Sequence, residues 1–314
     1  MADDTPNSRV PLKERLKDAA FDVEHALGMY AKGFCTLPAQ GIYDTKALAP
    51  LMDVIKSCHI YMVGFVPRIQ NKDFRLENGV LSLVMTVLGT DYTVTYDNVP
   101  NDWVLKEDDE FTYLESPSGE KFWPDDNHVQ SRLSNETGAI AFHVKYIGQA
   151  YGTDGSRNAL DRLLKHETLQ KISLKGVPDG YNLTLLLLSV EPSTQLFTTF
   201  NPFARNKDDE GTRIKAGLDK LFNTSEAERT TLYEASMIRY FYPEYNTEFK
   251  NSFPSTKLKD LQDCYEKDFS AVIAEICIDE LPFRLRSEVV APSHMHIAKH
   301  DLHKTEDRRI FFGL

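Results

Sequence analysis

The chain is expected to fold as an α+β protein in two principal modules with a short C-terminal extension. Three observations lead there. A length of 314 residues with 41% hydrophobic content is enough for two ordinary domains, each with its own core. Helix-spaced and strand-rich segments both occur before and after a polar seam. That seam contains the acidic stretch Lys106-Glu-Asp-Asp-Glu110 and the segment Glu115–Asn127 with Pro117, Gly119 and Pro124, which places a boundary near residue 125.

In the N-terminal module, residues 1–125, Leu12–Tyr30 carries Leu16, Ala19, Ala20, Val23, Ala26 and Leu27 at helical spacing and predicts an amphipathic helix. A second helix over Thr45–Ser57 leads into the β-rich run Ile60–Val66. Val80–Leu88 and the alternating Tyr92–Tyr96 predict further strands, set off by turn signals at Asn78-Gly79 and Asn98–Asn101. In the second module, residues 126–260, His128–Leu133 and Ala139–Gly148 read as a hairpin turning at Ser134–Gly138. A helix follows over about Asp154–Lys171, and then Tyr181–Val190, apolar enough to be a central strand. An insertion at about 191–225 holds a short helix at Ile214–Leu221. Ser225 with Glu228 forms a capping-box start for a helix that reaches Tyr240 and stops before Pro243. The extension, residues 261–314, predicts a β-hairpin (Val272–Ile278, Phe283–Val290) and ends in a histidine-rich tail.

A net charge of −11 argues against a general nucleic-acid coating protein, because nonspecific DNA affinity comes from Lys and Arg displacing counterions. It leaves room for a nuclease whose cations gather at one cleft. Cys35, Cys58, Cys264 and Cys277 form no CxxC pair, so a reducing cytoplasm is the expected location. The N-terminus lacks a signal-peptide pattern and no apolar run is long enough to span a bilayer, so no membrane role is expected.

Tyr146-Ile-Gly148, Arg162-Leu-Leu-Lys-His166, Glu234-Ala-Ser-Met-Ile238 and Tyr245-Asn246 occur in that order. Together they resemble the motif series of the GIY-YIG nuclease family over about residues 127–251. The resemblance implies a GIY-YIG-like domain, a small β-sheet flanked by helices, and a metal-dependent endonuclease acting on nucleic acid, DNA being expected. It implies that Tyr146 lies beside the scissile phosphate, that Arg162 and His166 reach the same cleft, and that Glu234 holds Mg²⁺ or Mn²⁺. Four residues apart, Arg162 and His166 share one face of a helix. A carboxylate among Leu232, Ala235, Met237 and Ile238 calls for a counter-charge, from a cation or from an arginine such as Arg162. Arg157, Lys145 and Asn246 are assigned substrate-binding or structural roles.

The sequence departs from the family in two ways. Tyr146 and Arg162 are more widely spaced than usual, implying an extra loop over Tyr151–Arg157. The first tripeptide, Gly-Ile-Tyr, is missing from the strand before Tyr146; Gly41-Ile42-Tyr43 matches it but lies in the other module and is read as coincidence. The expected hairpin puts Asn127 or His128 opposite Tyr146, and His128 is then the candidate general base. The N-terminal module, a protein partner or a homo-oligomer would then control the activity, in a host-defence or mobile-element setting. Two alternatives remain: a noncatalytic nucleic-acid-binding scaffold, and a metal-binding regulator built on His294, His296, His300 and His303, for which a solvated polar tail is the plainer reading. Arg239–Tyr242 and Phe249–Phe253 form an aromatic-basic stretch suited to a cleft or to core packing.

Overall fold

The computed structural model describes residues 12–108, 111–152, 158–308 and 311. In chain order the first strands are β1 (Val23–Pro38), β2 (Ile60–Pro67), β3 (Ile69–Glu77), β4 (Val80–Val87), β5 (Thr90–Tyr96), β6 (Val104–Glu107), β7 (Thr112–Glu115) and β8 (Lys121–Phe122). Then come β9 (Ala141–Gln149), β10 (Tyr181–Val190), β11 (Gln195–Phe200), β12 (Ala271–Cys277), β13 (Arg284–Arg286) and β14 (Met295–Asp301). The helices are α1 (Leu12–Asp18), α2 (Thr45–Leu48), α3 (Met52–Ser57), α4 (Asp126–Thr137), α5 (Ala159–Leu163), α6 (Glu167–Lys175), α7 (Thr212–Asn223), α8 (Glu226–Phe241) and α9 (Lys259–Glu266).

The protein is mixed α+β around one curled main sheet with strand order β13-β9-β2-β10-β1-β12-β14. The long strand β1 serves both halves of it: its first part pairs with β11 and β12, its second with β10. Leu285 of β13 bridges to Ser293, just ahead of β14, so the two ends of the sheet approach each other. Helix α8 fills the hollow, packing against β9, β10, β1, β12 and β14. Every residue from Leu232 to Ile238 is buried, as expected of a helix with neighbours on all sides. The other face of the sheet, bearing Tyr61, Val63, Leu185 and Leu187, is covered by α3, α5 and α6.

The expected boundary near residue 125 runs through this sheet. Strands β1 and β2 precede it, β9 and β10 follow it, and β12 and β14 come from the tail, so three predicted pieces share one core. What is inserted is β3–β8: two three-stranded meanders between β2 and α4, joined by an edge-on contact of Phe74 and Trp123 at 5.0 Å. Residues 69–122 carry eleven Asp and Glu against four Lys and Arg, a net −7 of the chain's −11.

Several expected elements change type. The helix predicted over Leu12–Tyr30 ends at Asp18, and Val23–Tyr30 is strand; Val23–Met29 is buried on both faces, so no alternation marked it as β. His128–Leu133 is helical, because Asp125 caps α4 by accepting from the His128 amide and Gly138 ends it in the left-handed region (φ 68°). The single helix over Asp154–Lys171 is two, α5 and α6, and its first residues lie outside the described set. The insertion at 191–225 contains an unforeseen strand, β11. The predicted tail hairpin does not form: β13 runs parallel to β9, while β12 lies between β1 and β14. Gly41-Ile42-Tyr43 lies in a 3₁₀ turn with Tyr43 exposed, in keeping with coincidence. No described helix is long and apolar enough to cross a membrane.

Candidate active site

Strand β2 runs antiparallel to β9 and pairs Tyr61 with Gly148 and Val63 with Tyr146. The register jumps at Lys145, where two residues of β9 oppose one of β2, a bulge that puts Val144 and Tyr146 on opposite faces. Tyr146 therefore joins Tyr61 on the face covered by α5 and α6. The rings of Tyr61 and Tyr146 stand 6.1 Å apart, and the His166 ring packs against both, at 5.4 Å and 5.1 Å. Arg162 lies close enough to act electrostatically on both phenols, and each phenol acts on the other.

Gly148 has a steric reason. A Cβ there would lie 2.5 Å from the Tyr61 hydroxyl and 2.6 Å from its Cζ. Glycine at this place lets one phenol lie across the neighbouring strand.

Burial pushes both phenols above the usual tyrosine range, reinforced at Tyr61 by Tyr146 and at Tyr146 by the Glu234 charge, while Arg162 opposes the shift at each. Both are neutral donors at pH 7. His166 is not a general base either. Its Nδ1 accepts from the Leu169 amide at 3.2 Å, capping α6, so the proton of the neutral ring sits on Nε2. Burial, and then the Arg162 charge, lower its pKa to about 4, so it remains a neutral donor beside the phenols. The Arg-x-x-x-His pair thus comes to Tyr61 from two short helices, not from one face of a continuous helix, and only Arg162 lines a cleft.

Glu234 approaches from α8 beside the part of β9 that β13 leaves unpaired, with the Gln149 backbone near it. Burial first, and Glu248 second, raise its pKa to about 8. Arg162 and the Gln149 amide pull the other way without restoring the ordinary value. No ion pair with Arg162 forms among the described residues. This suits a hard divalent cation, which would supply the missing positive charge and complete its shell with water and phosphate oxygens. Three or more His, Cys, Asp or Glu side chains do not converge on a cation site among the described residues, so Glu234 would be its principal protein ligand.

Asn246 locks the same edge. Its side chain accepts from the Ile147 amide at 2.9 Å and donates to the Ile147 carbonyl at 2.8 Å, while the Tyr245 amide donates to the Lys145 carbonyl. Lys145 itself is ion-paired with Glu244 and Glu288, both at 3.3 Å, which gives it a structural place. His128 is removed from the base position, since the partner of β9 is β2 and His128 packs near Tyr96 at the start of α4. Arg157 lies outside the described residues.

Of the terminal histidines, His296, His300 and His303 have structural contacts, while the His294 Nε2 is buried without a hydrogen-bond partner among the described residues. They lie on or beside strand β14; His296 contacts the carbonyls of Leu285 and Ser293 and the Tyr240 hydroxyl, His300 the Ser236 carbonyl, and His303 the Phe269 carbonyl. The solvated-tail reading fails as well, because His296 and His300 are buried.

A cleft of about 270 Å³ opens at Arg162, bordered by Gln149, Tyr151, Ala227 and Thr231. At its rim Glu226 accepts from the Tyr151 hydroxyl at 3.1 Å and lies 3.8 Å from His59. A larger groove of about 630 Å³ between Tyr43, Leu174 and Tyr181 is mainly apolar and holds no acid, base or cation. Comparison with protein-family models, curated proteins and solved structures returned no match. The case for chemistry at this site therefore rests on its geometry. Sequence reasoning missed Tyr61, His59 and Glu248. A signal existed: Ile60-Tyr61 repeats the last two letters of the missing tripeptide, with His59 in place of glycine, at the head of an apolar strand.

Proposed function

We propose that the protein is a metal-dependent endonuclease that hydrolyses phosphodiester bonds, DNA being the expected substrate. The observation carrying this reading is the arrival of Tyr61 beside Tyr146, Arg162 and His166, which supplies the phenol that the local sequence lacked. Tyr146 is half-buried and faces the substrate; Tyr61 is sealed behind it at 1% exposure and acts through it. Arg162 offsets charge on the phosphate and holds Tyr61. His166 donates through Nε2. Glu234 holds Mg²⁺ or Mn²⁺, which when bound supplies Lewis-acid stabilisation of phosphate charge. In its phenolate form, a small fraction at neutral pH, Tyr146 removes the proton of the attacking water, so the rate rises with pH.

The net −11 is unevenly spread along the chain. With net −7 in residues 69–122, the remaining 260 residues carry only −4. The controlling role expected of residues 1–125 passes to this acidic insertion, β3–β8. A second reading, a noncatalytic nucleic-acid-binding scaffold, is favoured by one observation, the near-complete enclosure of Tyr61.

The test is incubation of supercoiled, linear and single-stranded DNA and RNA with Mg²⁺, Mn²⁺ or chelator, beside Glu234→Ala and Tyr146→Phe. Cleavage that needs the cation and is lost in both variants supports the enzyme. Equal cleavage by wild type and Glu234→Ala refutes it, and binding without cleavage by any form supports the scaffold.

A further inference from the structure

Strand β11 has one paired edge and one open edge. It pairs with β1 alone, and the Asn201 amide just beyond it donates to the Asp22 carbonyl. Backbone groups alternate along a strand, so the N–H and C=O groups of Phe197 and Thr199 turn to β1. Those of Leu196, Thr198 and Phe200 turn outward, where they have no backbone partner among the described residues. Natural edges are blunted by lysine, by proline or by a covering element. Gln195–Phe200 contains neither proline nor any charged residue, and Phe200 is 69% exposed.

Helix α7 lies beside this strand. His25 meets the Arg213 carbonyl at 2.8 Å and the Thr198 hydroxyl at 2.9 Å, while the Thr194 hydroxyl donates to the Leu221 carbonyl at 3.1 Å, so the helix runs antiparallel to β11. One side of α7 carries Lys220, buried against Glu228 of α8 and Asp263 of α9. The opposite side carries Ile214, Leu218 and Phe222 at four-residue spacing, all exposed, Phe222 at 78%. An amphipathic helix ordinarily buries such a stripe.

The occupant that fits both features is a second copy of the chain. An antiparallel two-fold centred on Thr198 sets Thr198 against its own counterpart and Leu196 against Phe200. Each outward backbone group then meets a complementary one, and an aromatic–aliphatic pair forms on either side of the axis. Charge permits the approach here. Two chains of net −11 repel, but residues 192–224 hold five Lys and Arg against four Asp and Glu, and the strand itself holds none, so no like charges are set opposite each other along it.

We propose that the protein forms a two-fold dimer through the β11 edge, with the Ile214, Leu218 and Phe222 stripe of α7 covered by the partner copy. No residue of the candidate active site takes part. The test is sedimentation equilibrium of the full chain, 35.8 kDa as a monomer, over about 1–100 µM, with hydrogen exchange across Gln195–Phe200 followed by mass spectrometry at both ends of that range. The expected result is a dimer at the upper end, in which the Leu196, Thr198 and Phe200 amides gain protection. Phe200→Lys/Leu218→Lys enters a two-fold interface twice, so it should raise the dissociation constant at least about a hundredfold and remove that protection. Leu174→Lys, at an exposed leucine of the apolar groove beside Tyr43, should change neither. If the double variant fails to fold by circular dichroism, Phe200→Lys alone must weaken the dimer at least about tenfold.

A monomer at every concentration overturns the proposal and leaves the edge to the strand of a different protein. A dimer that survives Phe200→Lys/Leu218→Lys, or is lost in Leu174→Lys, overturns it as well. So does a dimer in which the three amides exchange as fast as in the monomer.

Discussion

Replacing Glu234 with glutamine should make the protein more stable in alkaline solution and leave it little changed in acid. In the folded chain this carboxyl has a pKa of about 8 against an ordinary 4.5. A pKa raised on folding means that the native state holds a proton the unfolded chain releases. Stability from this group is fully present below about pH 4.5 and is lost as pH rises through about 8. At about 1.36 kcal/mol per pH unit, the gap between the two values corresponds to a loss on the order of 5 kcal/mol at most, and water entering the cleft reduces it. Glu234→Gln keeps the shape and removes the titration. The assay is urea unfolding of both proteins in chelator between pH 4.5 and 9. The stability difference should lie within about 1 kcal/mol at pH 4.5 and reach several kcal/mol in favour of the variant at pH 9. Adding Mg²⁺ or Mn²⁺ at pH 8 should stabilise only wild type, by about 2.7 kcal/mol at a hundred times the dissociation constant. Parallel pH profiles for the two proteins would refute the reasoning.

Gly148→Ala sets a methyl against the Tyr61 phenol and should cost about 1–3 kcal/mol in chemical denaturation, with an altered tyrosine signal in near-ultraviolet circular dichroism. Asn246→Ala leaves the Ile147 amide and carbonyl without their side-chain partner; about 1–3 kcal/mol should be lost, and the Ile147 amide should exchange with solvent faster. Arg308→Ala removes one of two guanidinium partners from Glu24, a carboxylate only 1% exposed, and thermal unfolding should report a loss of about 3–5 kcal/mol. Under the nuclease reading, Tyr146→Phe should abolish cleavage while preserving duplex binding in chelator.

Local chemistry was legible where it acts within a few residues. The Ser225 cap accepts from the Glu228 amide as its spacing suggests, and the apolar run Tyr181–Val190 is the central strand β10. Glu234 could be flagged because Leu232, Ala235, Met237 and Ile238 surround it along the helix. Strand β1 could not be told from a helix, since Val23–Met29 is enclosed on both faces, so no alternation marks it, while Val23, Ala26 and Leu27 fall at helical spacing. His128 was misplaced because the cap at Asp125 was overlooked, so a helix start read as a strand. Tyr61 escaped notice for a different reason: strand neighbours in a motif are sought near each other, and here 85 residues separate Tyr61 from Tyr146. Nothing in either segment alone announces that the chain returns to pair them.

The position of β1 between β10, β11 and β12 has a consequence for biosynthesis. Its parallel neighbour β12 begins at Ala271, 233 residues beyond Pro38. At about 5–20 residues per second, a ribosome takes roughly 10–50 s to deliver that partner after β1 is made. Through that interval the Ala26–Tyr30 stretch has no partner on its β12 side. Nascent chains of this protein should therefore engage chaperones until the last third is synthesised, and premature termination before Ala271 should yield aggregates.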